Sequence, residues 1–416
     1  MAHLPYSRQC ITEADIAAVA AVLRSDFLTQ GPVVPAFEAL FAAHHQVAHA
    51  VAVSNATSGL HLACLALGVG TGSRVWTSPN SFVASANCAL YCGATVDFVD
   101  IDPATRNLCI DALRSQLAAA ERAGTLPSVL IPVHFAGLPC DMQVLRALAD
   151  RYHFKILEDA SHATGASYLG APVGSAWADA SVFSFHAVKI VTTGEGGMVT
   201  TPHADVAQAL RGLRSHGITR DAALLAQPVE GPWVYAQQSL GFNCRMTDVQ
   251  AALGASQFQR LAAMQAQRLA LADRYDRLLA DLPLILPARR SNRRSAWHLY
   301  AVEVTAAHTH RLAVFNALRA ADIGVNVHYI PIHTQPFYQR LGFKAGHCPA
   351  AEAYYARAIS LPLFPDLRHA EQDRVVAALR QALVGQARVG QAQPVARLSA
   401  PSQAALTTVP SQAVPA

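Results

Sequence analysis

The sequence has 416 residues, of which 52% are hydrophobic and only 14% are charged, and its formal net charge is +4. This length suffices for two domains, while the modest charge, without a basic stripe carrying interleaved aromatic residues, argues against nucleic-acid binding. No run of residues approaches the roughly 20 apolar positions that a membrane-spanning helix requires.

The first part of the chain predicts an arm followed by two helices. Thr12-Glu-Ala-Asp15 has the pattern of a capping box, and Ile16, Val19 and Leu23 follow at helical spacing. Leu28-Thr-Gln-Gly-Pro32 then breaks the chain before a second short helix. We therefore expect an N-terminal arm at residues 1–11, in front of a folded domain.

Between residues 50 and 201, short apolar strands alternate with helical runs. Strands are predicted at 50–53, 74–77, 95–99, 128–133, 154–158, 181–185 and 198–201, and helices at 60–67, 83–91 and 142–152. This alternation is typical of an α/β fold with a mostly parallel sheet covered by helices on both faces. Ligands of such sheets bind beyond the carboxyl ends of the strands.

A predicted anion site follows the first strand of this sheet. Ser54-Asn-Ala-Thr-Ser-Gly59 opens a helix, whose free amide groups and positive dipole end attract a phosphate. Thr57 and Ser58 add hydroxyl donors there. Plain helix capping is the alternative interpretation, because Ser and Asn cap many helices.

Two further strands end in residues that carry chemistry. Phe154-Lys-Ile-Leu-Glu-Asp159 ends in a carboxylate, and Glu158 beside it points to the opposite face. Lys189 follows the strand Ala180–Phe185, and a partly desolvated lysine loses proton affinity. Pyridoxal 5′-phosphate needs such a pair, a carboxylate for its pyridine nitrogen and an amine for its aldehyde carbon. Taken alone, Asp159 also fits a role as a turn or cap residue.

Other cofactor and metal sites are not supported by the sequence. The glycines of Gly68–Gly72 lie between a helix and a strand, the reverse of a dinucleotide fingerprint, and Gly194–Gly197 lacks the lysine of a phosphate loop. Five histidines lie near candidate site segments, at positions 134, 162, 186, 328 and 333. None has metal-ligand spacing, so we predict no metal and favour a structural role for each one taken singly.

The second half of the chain predicts a smaller α+β domain. Thr247-Asp-Val-Gln250 is another capping box, and it starts a helical stretch that runs to about Asp281. Strands are predicted at 297–304 and 324–328, and helices at 311–321, 351–358 and 370–383. The predicted organisation is an arm (1–11), a large α/β domain (12–245), a small domain (246–385) and a disordered tail (386–416), which has neither acidic nor aromatic residues.

Cysteine usage bears on the compartment of the protein. The eight cysteines form no CxxC pair, and no basic start followed by an apolar segment marks a signal peptide. We therefore expect a reduced protein in the cytoplasm.

The combined motifs resemble those of the DegT/StrS sugar aminotransferases, which have the fold-type I architecture of pyridoxal-phosphate enzymes. The resemblance covers about residues 5–385 and includes 26–32, 54–55, 158–160, 184–189, 241–248 and 328–331. It implies that Lys189 binds the cofactor covalently and that Asp159 pairs with its pyridine nitrogen. Further cofactor roles are implied for Phe82 on the ring, for Thr57, Ser58 and Ser184 at the phosphate, and for His162 near the ring hydroxyl, where relatives often carry Gln. Asn243 is implied to reach the phosphate in the partner subunit of a homodimer.

The resemblance also implies the substrates. Four stretches, 133–137, 190–197, 215–220 and 360–365, resemble family members of the pseudaminic acid pathway. They imply amino transfer from L-glutamate to C4 of a UDP-linked 4-keto-6-deoxy-N-acetylhexosamine, giving UDP-4-amino-4,6-dideoxy-N-acetyl-β-L-altrosamine. We expect sugar contacts from the arm and from His328 and Tyr329.

Three alternatives remain open at this point. The same chemistry could act on another 3-keto or 4-keto nucleotide sugar. A sugar dehydratase on this scaffold would carry histidine in place of Lys189, and a non-catalytic binding protein would have no need of the pair Lys189 and Asp159.

Overall fold

The computed structural model describes residues 3–175, 177–225, 231–305 and 311–390. The strands are β1 (His49–Val53), β2 (Arg74–Thr77), β3 (Thr95–Phe98), β4 (Val129–Ile131), β5 (Lys155–Asp159), β6 (Ser167–Tyr168), β7 (Ala171–Pro172), β8 (Ala180–Ser184), β9 (Gly197–Thr201), β10 (Ile218–Thr219), β11 (Ala236–Gln237), β12 (Leu284–Ile285), β13 (Arg293–Arg294), β14 (Tyr300–Val304) and β15 (Ala358–Leu361). The helices are α1 (Glu13–Leu23), α2 (Val33–His45), α3 (Ala56–Ala66), α4 (Ala84–Tyr91), α5 (Ile110–Ala123), α6 (Met142–Tyr152), α7 (Ala204–Leu213), α8 (Asp248–Phe258), α9 (Leu261–Leu278), α10 (Arg311–Ala320), α11 (Pro336–Arg340), α12 (Pro349–Arg357) and α13 (His369–Gly390).

A seven-stranded sheet forms the centre of the large lobe, in the order β1-β9-β8-β5-β4-β2-β3. Strand β9 is antiparallel to both of its neighbours, and the other adjacent pairs are parallel. The carboxyl ends of β1, β5 and β8 therefore lie along one edge. The prediction of a mostly parallel α/β sheet is confirmed.

The strands are apolar because helices cover both faces of the sheet. Every residue of β8 and β9 is buried. On one face, Val182 and Val199 pack with residues of α3. On the other face, Phe41 of α2 packs edge-on against Phe183 with ring centroids 5.0 Å apart. The helices on the two faces thereby fix the positions of the strand ends.

The small lobe is built on the antiparallel sheet β12-β14-β15. Val302, Leu318, Ile359 and Leu379 are fully buried in its core, which includes side chains of α10 and α13. The buried carboxylate of Glu303 on β14 joins this lobe to the large one through Arg106, at 2.7 Å.

Three sequence predictions differ from the structure in this half of the chain. The predicted helix from 247 to 281 is two helices: α8 packs on the large lobe, and α9 begins against the large lobe at Leu261 and reaches the small lobe at Leu271 and Tyr275. Residues 324–328 form no strand, because only Asn326 makes a bridge, to Ser360. Helix α13 continues to Gly390, five residues into the predicted tail, and residues 391–416 lie outside the described residues.

Both predicted capping boxes form. The backbone N–H of Thr12 donates to Asp15 at 2.8 Å, and that of Thr247 donates to Gln250 at 2.9 Å. Over the described ranges, none of the helices combines the length and apolar character needed to cross a bilayer.

Candidate active site

A cavity of about 750 Å³ opens at the carboxyl ends of β1, β5 and β8. It brings together nine of the ten predicted site residues: Thr57, Ser58, Phe82, Asp159, His162, Ser184, Lys189, His328 and Tyr329. Asn243 is not among its lining residues. The sheet edge therefore gathers groups that are up to 272 positions apart in the sequence, from Thr57 to Tyr329.

Lys189 lies in a short loop between β8 and β9, and its side chain lines the cavity. Its backbone N–H donates to His186, and the N–H of Thr193 donates back to Phe185, each at 2.9 Å. Burial lowers the pKa of the Lys189 amine to about 8, and the nearby carboxylate of Asp159 opposes this shift. About a tenth of the amine is thus unprotonated at pH 7, far more than in an ordinary lysine, and this form is the one that a nucleophile or base requires.

Asp159 is the last residue of β5 and is only 5% exposed. Its Oδ2 accepts a hydrogen bond from Ser85 at 2.5 Å, and its Oδ1 accepts one from the N–H of Ser161 at 3.1 Å. Glu158 faces away from the cavity and accepts a hydrogen bond from Ser181 at 2.5 Å. The predicted alternation of these two carboxylates is confirmed.

The predicted phosphate turn begins α3. The side chain of Asn55 caps the helix by accepting the N–H of Ser58 at 2.8 Å, and Thr57 and Ser58 line the cavity. Gly197 of β9 lies so close that an added Cβ would be 2.9 Å from the amide nitrogen of Ala56. The cap therefore does not exclude the predicted anion site, since Asn55 accepts only the N–H of Ser58 and the first-turn amides of a helix have no helical partners.

A wall of histidine and tyrosine side chains faces Lys189. The Nδ1 of His162 accepts the backbone N–H of Ala136 at 3.3 Å, and its Nε2 lies 3.0 Å from the Tyr329 hydroxyl. Because Nδ1 accepts, Nε2 carries the proton and donates to Tyr329. Burial, with Lys189 nearby, lowers the pKa of His162 well below its usual range and that of His328 to about 3. These imidazoles are therefore neutral.

His298 belongs to this wall and was missed in the sequence. Its ring lies 4.4 Å from that of His162, and its buried Nδ1 has no hydrogen-bond partner among the described residues. Arg268, also fully buried, donates to the carbonyl groups of Trp297 and His298 at 3.1 and 3.4 Å. No local sequence pattern indicates that His298 belongs to the site, because its backbone is held by Arg268 of α9, which is remote in the sequence.

The remaining candidate histidines have other surroundings. His134 is buried beside Glu158 at 3.4 Å, and His333 is paired with Glu352 at 2.7 Å, outside the cavity. His186 is half-exposed at the cavity, 4.0 Å from Glu195. In the part of the chain that the structure describes, no group of three or more His, Cys, Asp or Glu side chains is arranged to hold a metal ion.

The residues present fit pyridoxal phosphate. An amine with a lowered pKa and a buried carboxylate share one cavity, a helix N-terminus with two hydroxyl side chains opens onto it, and the exposed ring of Phe82 (60% exposed) lies on its wall. The two carboxylate oxygens of Asp159 accept hydrogen bonds from Ser85 and Ser161, and these bonds orient the carboxylate for a cationic partner.

Comparisons with known proteins agree with this site. Residues 9–380 match the model of the DegT/DnrJ/EryC1/StrS aminotransferase family. The spore coat polysaccharide biosynthesis protein SpsC of Bacillus subtilis is 40% identical over 387 residues, which are 92% of this chain and 97% of SpsC. The chain belongs to this aminotransferase family.

Solved structures give the same result. A putative sugar aminotransferase, Spr1654 of Streptococcus pneumoniae, is 30% identical with a TM-score of 0.84, covering 94% of this chain and all of the other. It has also been solved in forms with pyridoxal phosphate and with pyridoxamine phosphate. Helicobacter pylori PseC, an aminotransferase involved in pseudaminic acid biosynthesis, has the same identity and TM-score and covers 92% of this chain. The predicted family, fold type and cofactor are confirmed.

Proposed function

We propose that this aminotransferase moves an amino group from L-glutamate to C4 of a UDP-linked 4-keto-6-deoxy-N-acetylhexosamine. The observation that carries the proposal is the meeting of Lys189 and Asp159 in one cavity whose other walls are a phosphate turn and neutral imidazoles. The likeness to PseC over nearly the whole chain supports the sugar. The higher identity to SpsC favours a second candidate, the same chemistry on a different keto sugar nucleotide.

Pyridoxal phosphate would be held by Lys189 at its aldehyde carbon, by Asp159 at its pyridine nitrogen, and by Thr57, Ser58 and Ser184 at its phosphate. When bound, the cofactor supplies an electron sink for the carbon that loses or gains a proton. The ring of Phe82 would cover one face of it. The buried Asp159 would keep the ring nitrogen cationic.

Lys189 performs the proton transfers in both half-reactions. Its amine takes the proton from the α-carbon of glutamate, and in the second half-reaction it delivers a proton to the former carbonyl carbon of the sugar. An amine whose pKa is about 8 serves as base and then as acid near neutral pH. The products are 2-oxoglutarate and the 4-amino sugar nucleotide.

The active unit is a homodimer in this proposal. Both substrates and the cofactor are anionic, yet no arginine lines the cavity among the described residues, and Lys189 is its single lysine. Asn243 from the partner subunit would complete the phosphate site. Exposed apolar side chains near this segment, Trp233, Tyr235 and Leu240, favour burial against a second copy.

The cytoplasm remains the predicted compartment. All eight cysteines are unpaired in the structure, as expected for a protein in a reducing environment.

A first experiment tests the covalent attachment. The chain has only three lysines, Lys155, Lys189 and Lys344, so borohydride reduction of the protein with pyridoxal phosphate gives a simple peptide map. We expect the label at Lys189 alone, while exposed Lys155 and Lys344 serve as internal controls. A label absent from Lys189 would contradict the proposal.

A second experiment tests the substrate. The protein is incubated with glutamate and each member of a panel of 3-keto and 4-keto nucleotide sugars, and the configuration of the new amine is determined by NMR. Preferred turnover of the UDP-linked 4-keto-6-deoxy-N-acetylhexosamine is expected. Preference for another sugar would favour the second candidate.

A further inference from the structure

Asp159 is hydrogen-bonded on both carboxylate oxygens by groups of the protein. The shorter bond comes from the hydroxyl of Ser85, which is fully buried and lies 2.5 Å from Oδ2. An ionised carboxylate can only accept hydrogen bonds, so the single proton of the Ser85 hydroxyl is directed at Asp159. A donor on the charged form of a carboxylate favours that form.

A second serine extends this contact. The hydroxyl of Ser81 lies 2.7 Å from that of Ser85. Since the proton of Ser85 is committed to Asp159, Ser81 must be the donor in this bond. The two hydrogen bonds, from Ser81 to Ser85 and from Ser85 to Asp159, therefore point in one direction, and each polarises the other.

The fold places these hydroxyl groups rigidly. Ser85 lies in the first turn of α4, whose Ala86 and Cys88 are fully buried in the core beside the sheet. Ser81 is four residues earlier, and its own side chain lines the cavity. The N–H of Ser85 donates to the carbonyl of Phe82, so the same turn also fixes the residue proposed to cover the cofactor ring.

We propose that Ser85 is a positioning residue that acts through Asp159, holding this carboxylate aimed at the pyridine nitrogen so that the nitrogen stays protonated. This inference rests on the proposed function. Two other titratable groups face Asp159, the amine of Lys189 and the phenol of Tyr329, and both are retained in every Ser85 variant.

The test compares Ser85→Ala with Ser85→Thr, which keeps the hydroxyl. The matched control is Ser181→Ala, because Ser181 is equally buried and donates to Glu158 at the same 2.5 Å, on the face turned away from the cavity. Ser81→Ala is a milder change, because it removes only the hydrogen bond that Ser81 donates to Ser85. Thermal unfolding of each variant checks that the fold is retained.

The direct readout is the pyridine nitrogen itself, followed by ¹⁵N NMR of labelled cofactor between pH 6 and 9. We expect the wild type, Ser85→Thr and Ser181→Ala to keep the nitrogen protonated, and Ser85→Ala to lose the proton within this range. A hydrogen bond to a charged group contributes enough for about a tenfold to hundredfold loss in kcat. We expect that loss in Ser85→Ala with KM little changed, and a smaller one in Ser81→Ala.

Several outcomes would overturn the inference. An unchanged ¹⁵N titration in Ser85→Ala would show that Ser85 does not act through Asp159. A loss of kcat in Ser85→Thr or Ser181→Ala equal to that in Ser85→Ala would show that the effect comes from altered packing alone. The NMR readout needs no sugar, so failure of the proposed sugar transfer leaves it readable. A wild-type protein that does not capture the cofactor would overturn both.

Discussion

At the scale of single residues, the three lysines lie in different environments. Lys155 and Lys344 are exposed, whereas burial lowers the pKa of Lys189 to about 8. Burial disfavours the ammonium form, so the reactive amine of Lys189 predominates above pH 8, about two and a half pH units below the value for an ordinary lysine.

We therefore expect trace labelling of the cofactor-free protein with acetic anhydride to be selective. Labelling of Lys189, followed by peptide mass spectrometry, should rise with a midpoint near pH 8. The exposed Lys155 and Lys344 are the internal comparison in the same peptide map. A midpoint for Lys189 that coincides with the other two would contradict the desolvated environment.

Tyr329 offers a second prediction at this scale. Because His162 donates to its oxygen at 3.0 Å, the hydroxyl proton of Tyr329 is free to point into the cavity. We expect Tyr329→Phe to lower kcat/KM for the keto sugar about fivefold to tenfold, the contribution of one neutral hydrogen bond. Single-turnover kinetics of the glutamate half-reaction provide the comparison, and an equal loss there would argue against a sugar contact.

At the scale of elements, the close approach of β9 to α3 shapes the phosphate turn. An added Cβ at Gly197 would come within 2.9 Å of the backbone of both Asn55 and Ala56, neither of which is a flexible side-chain end. Gly197→Ala must therefore displace the first turn of α3, where the amides converge.

We expect Gly197→Ala to weaken pyridoxal phosphate binding at least tenfold, measured as the dissociation constant of the cofactor-free protein. Gly212→Ala in α7 is the control, because its Cβ would meet no atom within 4 Å, and alanine is favoured over glycine in helices. Unchanged cofactor affinity in Gly197→Ala would show that the turn tolerates the displacement.

Some strand ends could be predicted from the sequence, and others could not. The ends of β5 and β8 were predictable because apolar runs stop at Asp159 and near Lys189. The segment 324–328 is equally apolar, but a strand needs consecutive partners, and only Asn326 finds one. His298 was hidden for a related reason, since its place depends on Arg268, thirty positions earlier in the chain.

At the scale of the whole molecule, a buried carboxylate joins the two lobes. Glu303 is 1% exposed and accepts hydrogen bonds from both Arg106 and Arg357, with the shortest contact to each at 2.7 Å. Removing one partner of a buried ion pair leaves an uncompensated charge, which costs about 3–5 kcal/mol.

We expect Glu303→Gln to lower the free energy of unfolding by about 3 kcal/mol, toward the lower end of that range because Arg357 is partly solvated. The control is Asp281→Asn, which breaks the exposed pair with Arg380 and should change stability little. Urea denaturation followed by circular dichroism measures both variants. Equal stability of Glu303→Gln and wild type would show that the pair contributes nothing net.

The proposed dimer predicts that each complete active site contains residues from two copies of the chain. Asn243 is absent from the cavity of its own chain, so a copy carrying Asn243→Ala keeps its own Lys189 but lacks the residue that its partner needs. Homodimers of Lys189→Ala and of Asn243→Ala should both be impaired. In a mixed dimer, one site combines Lys189 from one copy with Asn243 from the other.

Co-refolding equal amounts of the two variants makes about half of the dimers mixed, each with one complete site out of two. Activity should therefore recover to about a quarter of the wild-type value, since the dimer is symmetric and its sites are equivalent. Titrating the ratio of the two variants should give a maximum at equal amounts. If Asn243 acted within its own chain, no mixture would contain a complete site, and the activity would stay at the weighted mean of the two variants.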